Sequence, residues 1–437
     1  MKLAIALIKT IGFMNFEQVK IYWLILILLI SCTSHVELSH EDLVAKVLKE
    51  APLIDGHNDL LIHFIWCKAC PRELDDYKLD TISDGHIDIP RLRKGGVGAL
   101  LINIFGRGKE MNEYLQGWDL IYRIEEKYAD DFKVAVTSSE VRQVMKSGKI
   151  AIIPSMEHTY ELVDDLGRLR TLYRLGLRSV ILAYNNNNIA DGAFDEPIHD
   201  GLSDYGKELV LEMNRLGIMI DLSHITEKGM LDVLEITRAP VIFSHANARA
   251  LTDTERNASN QVLLKLKENG GLIMLTPVNY FTTQEAHDYF LVKLDSMGKA
   301  FQEKYPNPDQ MSDEEIELAD AEWDAWEAAN PHPKVTVKDF VDHFDYVKNM
   351  IGVDHIGIGS DFDGMSYLIE GLEDASTFPN ILLELANRGW TEKELKKVTQ
   401  ENFLRVFEAV EQKSAELQKI EGPRIAKVTS EKMQRVP

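Results

Sequence analysis

Eight short, almost uninterrupted apolar runs recur along this chain: PLID (52–55), VGALLINIF (97–105), KIAIIPSM (149–156), SVILAY (179–184), IMIDLS (218–223), PVIFS (240–244), GLIMLT (271–276) and HIGIGS (355–360). A half-buried strand alternates polar and apolar residues. Runs without that alternation suit strands covered on both faces, as in parallel sheets. Helix-period segments separate most of them. In SDYGKELVLEMNRLG (203–217), Ser203 or Asp204 can cap the N-terminus, Leu209, Met213 and Leu216 share a face, and Gly217 ends the helix. Eight strand-then-helix units predict an α/β fold, a closed (β/α)8 TIM-type barrel rather than an open sheet. The barrel domain is expected over 49–415. An insertion follows the seventh strand (277–338) and carries an acidic helix at 312–329. An amphipathic terminal helix falls at 391–412, and 416–437 read as a frayed tail.

Of the 437 residues 45% are hydrophobic, enough for a large core, and the formal net charge is −22. Such acidity repels nucleic acid and anionic lipid, so neither is an expected partner. Residues 1–32 read as a signal peptide: Lys20 precedes IYWLILILLIS (21–31), an uncharged run too short for a stable membrane anchor. It ends in LLISC, which resembles the lipobox of bacterial lipoproteins, with Cys32 as the lipidated residue. An ordinary secretory signal is the alternative, and Met14 offers a second start. Residues 33–48 form a linker and the start of the first helix. The expectation is an exported lipoprotein, periplasmic or on the cell surface. With Cys32 lipidated, Cys67 and Cys70 remain, and in an oxidising compartment they suit a local disulfide.

The polar residues that end these runs carry the chemistry. His57 and Asp59 end LIDGHND, Glu157 ends the third run, and His224 and His245 follow the fifth and sixth. A parallel barrel gathers such positions at one mouth. Side chains two apart on a strand share a side, so His57 and Asp59 can converge, with Asp55 able to support them. A single histidine at a strand end is more often scaffold than ligand. Five metal-favouring residues at ends of one polarity argue for a metal site. Three histidines and two carboxylates can hold two Zn²⁺ ions, Glu157 bridging them. His158, beside it, reads as structural. In GIGSDFDG (357–364), Asp361 is the candidate general acid/base and Asp363 a helix cap.

DGHNDL (55–60), SMEH (155–158), MNRLGIMIDLSH (213–224), SHANARAL (244–251) with RN at 256–257, and GSDFDG with the segments to 412 resemble the membrane (renal) dipeptidase family of binuclear zinc peptidases. The resemblance covers roughly 49–412. It implies two zinc ions, one on His57, Asp59 and Glu157, the other on Glu157, His224 and His245. It also implies cleavage of dipeptides, some with a D-residue at the C-terminal side. Arg256 then grips the substrate carboxylate, in the bidentate manner of a guanidinium, and Asp361 serves near the amino end. One departure is that Tyr184 stands where mammalian members carry a substrate-side histidine. A tyrosine hydroxyl can donate to a developing oxyanion but does not titrate near neutrality. A membrane contact is expected only through Cys32, and a homodimer only by analogy. The alternatives are a binuclear amidohydrolase acting on lactams, N-acyl amino acids or cell-wall fragments, and a binding lipoprotein without catalysis. The mark of the last would be a missing ligand, and none is missing.

Overall fold

The computed structural model describes residues 38–426, apart from 66–72, 76, 106–110, 158, 160–161, 163–164, 307–310 and 366. The expected signal peptide, Cys32, the Cys67–Cys70 pair and His158 lie outside the described residues. No helix among the described residues is long and apolar enough to cross a membrane.

The strands are β1 (Leu53–Asn58), β2 (Val97–Ile104), β3 (Phe132–Val134), β4 (Ile150–Met156), β5 (Ser179–Ile181), β6 (Met219–Asp221), β7 (Ile242–Phe243), β8 (Leu272–Leu275) and β9 (Ile356–Ile358). Every pairing is parallel, in the order β2-β1-β9-β8-β7-β6-β5-β4, and β2 pairs with β4 to close the ring. This is the expected (β/α)8 barrel. β3 is additional: it flanks the first half of β4, Phe132 opposite Ile150 and Val134 opposite Ile152, while β5 flanks the second half. Three residues, of which Lys133 is exposed, give too little pattern for a sequence reading to find it.

All eight barrel strands are buried along their length, as the unbroken apolar runs require. Inside, Ile54, Leu101, Ile153, Ile242, Leu272 and Met274 pack with Phe403, Phe407 and Val410 of the terminal helix. Close approach is enforced by glycine at one point in particular. A Cβ on Gly359 would lie 1.8 Å from the Ser244 carbonyl oxygen, so only glycine lets the chain leave β9 beside the end of β7.

In the helix Asp204–Leu216, Ser203 is the cap, its Oγ accepting from the Gly206 amide at 2.9 Å, and Gly217 stops it at φ 87°. The insertion after β8 holds Asn279–Thr282, Gln284–Asp288, a π-turn at Tyr289–Leu294, Asp295–Lys304 and the acidic helix Asp313–Ala329. The terminal helix departs from expectation. It comprises Glu392–Lys396, a π-turn at Lys397–Glu401 and Asn402–Ile420, so it passes through residue 415, where the domain was expected to end. Beyond it, Arg424 is not frayed: its side chain donates to Glu208 at 2.7 Å and its amide to Glu212 at 3.1 Å.

His343, on the helix Val337–Ile351, ties the insertion to the barrel. Its Nδ1 accepts from the Ala248 amide at 3.1 Å and its Nε2 donates to the Thr282 carbonyl at 2.9 Å. Those partners require the neutral ring, and burial lowers its pKa to about 4. The unfolded chain therefore binds more protons between about pH 6.5 and 4, and stability drains away as pH falls through that window, by up to roughly 3 kcal/mol for this one group. Denaturant titrations should show that slope in the parent, and a shallower one in His343→Gln.

Candidate active site

The predicted ligands converge. His57 lies within β1 and Asp59 just past it, Glu157 follows β4, His224 and His245 follow β6 and β7, and Asp361 follows β9. Two of these turns are strained: His224 has φ 71° and Asp361 φ 60°, left-handed values that non-glycine residues seldom adopt. Each costs of order 1–3 kcal/mol, a cost found at sites where function fixes a side chain's direction.

Glu157 is the hub. Its Oε1 lies 3.0 Å from His224 Nε2 and 4.0 Å from His245 Nε2, and its Oε2 lies 3.6 Å from His57 Nε2. His57 Nε2 is also 3.5 Å from Asp59 Oδ2 and 3.8 Å from Asp361 Oδ1. The Nε2 atoms of His224 and His245 are 2.8 Å apart. Two trios, His57–Glu157–His245 and His57–Asp59–Asp361, each bring one ligand atom per residue within 4.8 Å of one another. All these groups except Asp361 are fully buried.

Asn103 is a participant that the sequence reading missed. Its Nδ2 donates to Glu157 Oε2 at 2.6 Å and to Asp59 Oδ1 at 3.2 Å, holding two carboxylates together with one neutral amide. It is the one amide in the otherwise apolar run VGALLINIF, and that polarity was the available signal. Ser244 supports the rings from behind: its Oγ lies 2.8 Å from His245 Nδ1 and 3.4 Å from His57 Nδ1. Asp55 does not reach an imidazole. It accepts from Ser360 Oγ and the Ser360 amide, both at 2.7 Å, and so fixes the turn that carries Asp361. Asp363 does not cap a helix. Its Oδ1 accepts from the His86 amide at 2.6 Å and lies 3.1 Å from His63 Nε2, pinning the loop at 85–86 to the end of β9.

Burial drives the electrostatics. It lowers His224 to about 3 and His245 well below the usual range, with the Arg256 charge acting in the same direction on both. Neutral imidazole is the form that binds metal. His57 goes the other way: burial opposes its charge, but Glu157 and Asp59 prevail and hold its pKa well above normal. A proton on His57 sits where a cation satisfies the same carboxylates. His57 Nε2 is buried with no hydrogen-bond partner among the described residues. Neutral nitrogens facing one another, an orphaned third nitrogen and a carboxylate between them fit metal ligation. Burial also raises Asp361 well above the carboxylate range, and Asp59 and Glu157 reinforce it.

Above the cluster opens a cavity of about 490 Å³, mouth included, lined by Asp59, Glu157, His224 and Asp361 on its floor and by aromatic residues on its walls. Tyr184 is in that wall, its ring 4.5 Å from the His224 ring, and burial raises its pKa, so the hydroxyl stays protonated. Tyr280, also in the wall, was not predicted; burial and Asp361 raise it to about 12. Arg256 is close but does not line the cavity. It is fully buried behind Phe281, its guanidinium 5.1 Å from that ring's centre, and Nε, Nη1 and Nη2 have no hydrogen-bond partner among the described residues.

A parallel barrel with imidazoles and carboxylates gathered at the carboxyl ends of its strands is a metal-dependent hydrolase of TIM-barrel type. The chain belongs to the membrane dipeptidase family (peptidase family M19), whose model matches residues 41–421. It is 34% identical over 376 residues to the dipeptidase tcpJ of Claviceps purpurea, covering 83% of this chain and 77% of that one. Among solved structures it is similar to the probable dipeptidase PvdM of Pseudomonas aeruginosa, at TM-score 0.72 and 25% identity over 86% of this chain and 99% of that one. A metallopeptidase of Rhodobacter sphaeroides, liganded with a phosphinate mimic of the dipeptide L-Ala-D-Ala, matches at TM-score 0.65 and 25% identity, with 82% and 99% covered. Family, fold and site make the chain a metallo-dipeptidase.

If Asn103 sets the carboxylate spacing, Asn103→Ala should fold normally yet lose metal to a competing chelator some 10–100-fold more readily than the parent. Gly364→Ala should be harsher, since its Cβ would lie 2.1 Å from Asp59 Oδ2 and 2.6 Å from Asp361 Oδ1. Metal analysis after dialysis should show reduced occupancy for that variant.

Proposed function

We propose that this enzyme hydrolyses dipeptides, including those with a D-residue at the C-terminal side, with two Zn²⁺ ions. His57, Asp59 and Glu157 hold one ion, and Glu157, His224 and His245 the other. Bound there, the ions bring the pKa of water toward ~7 and polarise the scissile carbonyl. Asp361 takes the proton of the attacking water and passes it to the nitrogen of the leaving amine. Its raised proton affinity suits both halves of that transfer. Tyr184, protonated at every working pH, donates to the oxygen on which charge develops.

The observation that carries the reading is Arg256: a guanidinium with no hydrogen-bond partner among the described residues, fully buried within the field of Glu157 and Asp361. A buried, unpaired cation is costly unless an anion joins it. The free carboxylate of a dipeptide is such an anion and pairs with the guanidinium in bidentate fashion. The proposal includes export, which Lys20, the run 21–31 and LLISC support, with Cys32 as the lipid-bearing residue. Fatty-acid labelling lost in Cys32→Ser would bear this out.

Turnover of L-Ala-L-Ala and L-Ala-D-Ala should vanish on complete chelation and return with zinc at two ions per chain. Activity that persists in metal-free protein would refute the proposal. Arg256→Ala should raise KM about a hundredfold, the scale of lost charge-assisted hydrogen bonds, and Arg256→Lys should raise it less.

A further inference from the structure

Two phenylalanines at the cavity take no part in the hydrolytic chemistry. Phe194 and Phe281 stack with ring centres 6.3 Å apart and planes 20° apart, and both line the cavity. Phe281 is buried, whereas Phe194 is 50% exposed. An exposed apolar residue alone is ordinary, but Phe194 lines the cavity and presents an open apolar face to whatever enters it.

The backbone at each ring is anchored. The amide of Ala193 donates to the His224 carbonyl at 2.7 Å, so the residue before Phe194 is fastened to a predicted ligand's own backbone. The Phe281 carbonyl accepts from Asn257 at 2.9 Å and from Asn247 at 3.2 Å, residues that neighbour Arg256 and His245. The pair is thus registered against the site from both sides. Phe281's ring also lies against the Arg256 guanidinium.

A dipeptide whose carboxylate pairs with Arg256 has its C-terminal α-carbon one bond away. Phe281 is the cavity residue whose ring lies against that guanidinium, and Phe194 is the ring stacked next to it, so the two are the apolar surfaces nearest a side chain on that carbon. We propose that the Phe281–Phe194 pair reads the C-terminal residue of the substrate and selects large apolar or aromatic side chains there, Phe194 being the residue that sets the preference. This rests on the dipeptidase reading above and adds to it the class of dipeptide. The free-standing face of Phe194 is covered when an apolar side chain packs on it and stays wet when the C-terminal residue is glycine.

The test compares kcat/KM of the metal-loaded enzyme for L-Ala-Gly, L-Ala-L-Phe and L-Ala-D-Phe. One of the two phenylalanyl substrates should exceed L-Ala-Gly at least tenfold, a scale typical of apolar-pocket discrimination. Phe194→Ala should compress that ratio about tenfold, chiefly through KM for the phenylalanyl substrate. Phe194→Leu should retain most of it, and Ile198→Ala, an exposed residue of the same loop outside the cavity lining, should leave it unchanged. An equal loss on all three substrates in Phe194→Ala would assign the ring a structural role and overturn the inference, as would a parent enzyme with no preference. Failure of the zinc-loaded parent to cleave any dipeptide would instead overturn the functional reading, and this inference with it.

Discussion

Glu157 is the group on which the site depends. One carboxylate stands between three imidazoles, close to Asp59 and Asp361, in a region almost without solvent. Such a crowd of like charges is relieved when a member holds its proton, the direction in which Asp361 is pushed, or when positive charge arrives between the members. Protonated His57 supplies one such charge and the Asn103 amide supplies aligned dipole. Both are partial remedies, because two buried carboxyl groups and the partly buried Asp361 face one ring charge. The strain at His224 and Asp361 adds to this imbalance. The barrel must bear these costs, and its fully buried strands and long interior packing let it do so.

The short strands explain how the barrel delivers chemistry. β6 and β7 end early, at Asp221 and Phe243, leaving His224 and His245 on turns rather than in the sheet. His224 there adopts a left-handed backbone that a ladder forbids, so its side chain is aimed by φ and not by strand parity. Asp55–Ser360 and Asp221 with the amides of Ser223 and Ser244 fasten these turns to the sheet. The mouth is therefore irregular in path but fixed in place.

Much of this was legible in the sequence. Eight apolar runs correspond to the eight barrel strands, and the polar residues that close the first, third, fifth, sixth and eighth of them come together as the candidate site. Three details were hidden for physical reasons. β3 is too short to show a pattern. Asn103 sits inside an apolar run, where a single amide reads as noise until its two carboxylate partners, 44 and 54 positions away, are brought to it. Asp363 looked like a cap because Asp after a strand commonly caps, yet its partners are His86 and His63, 277 or more positions away. The terminal helix was cut short because the sequence after 412 loses apolar periodicity, although Ser414 and Leu417 are buried and Arg424 finds its acidic partners only in the fold. Tyr280 and Phe281 come from the insertion, which sequence pattern could locate but not aim.

The lone hydroxyl of Ser244 carries a consequence for proton bookkeeping. For His57 and His245 both to present a lone pair at Nε2, each must keep its hydrogen on Nδ1, and Ser244 Oγ must accept both. Its own hydrogen then goes to Asp221, whose carboxylate draws on that hydroxyl. One hydroxyl, shared by two rings, thereby links the tautomer of His57 to that of His245.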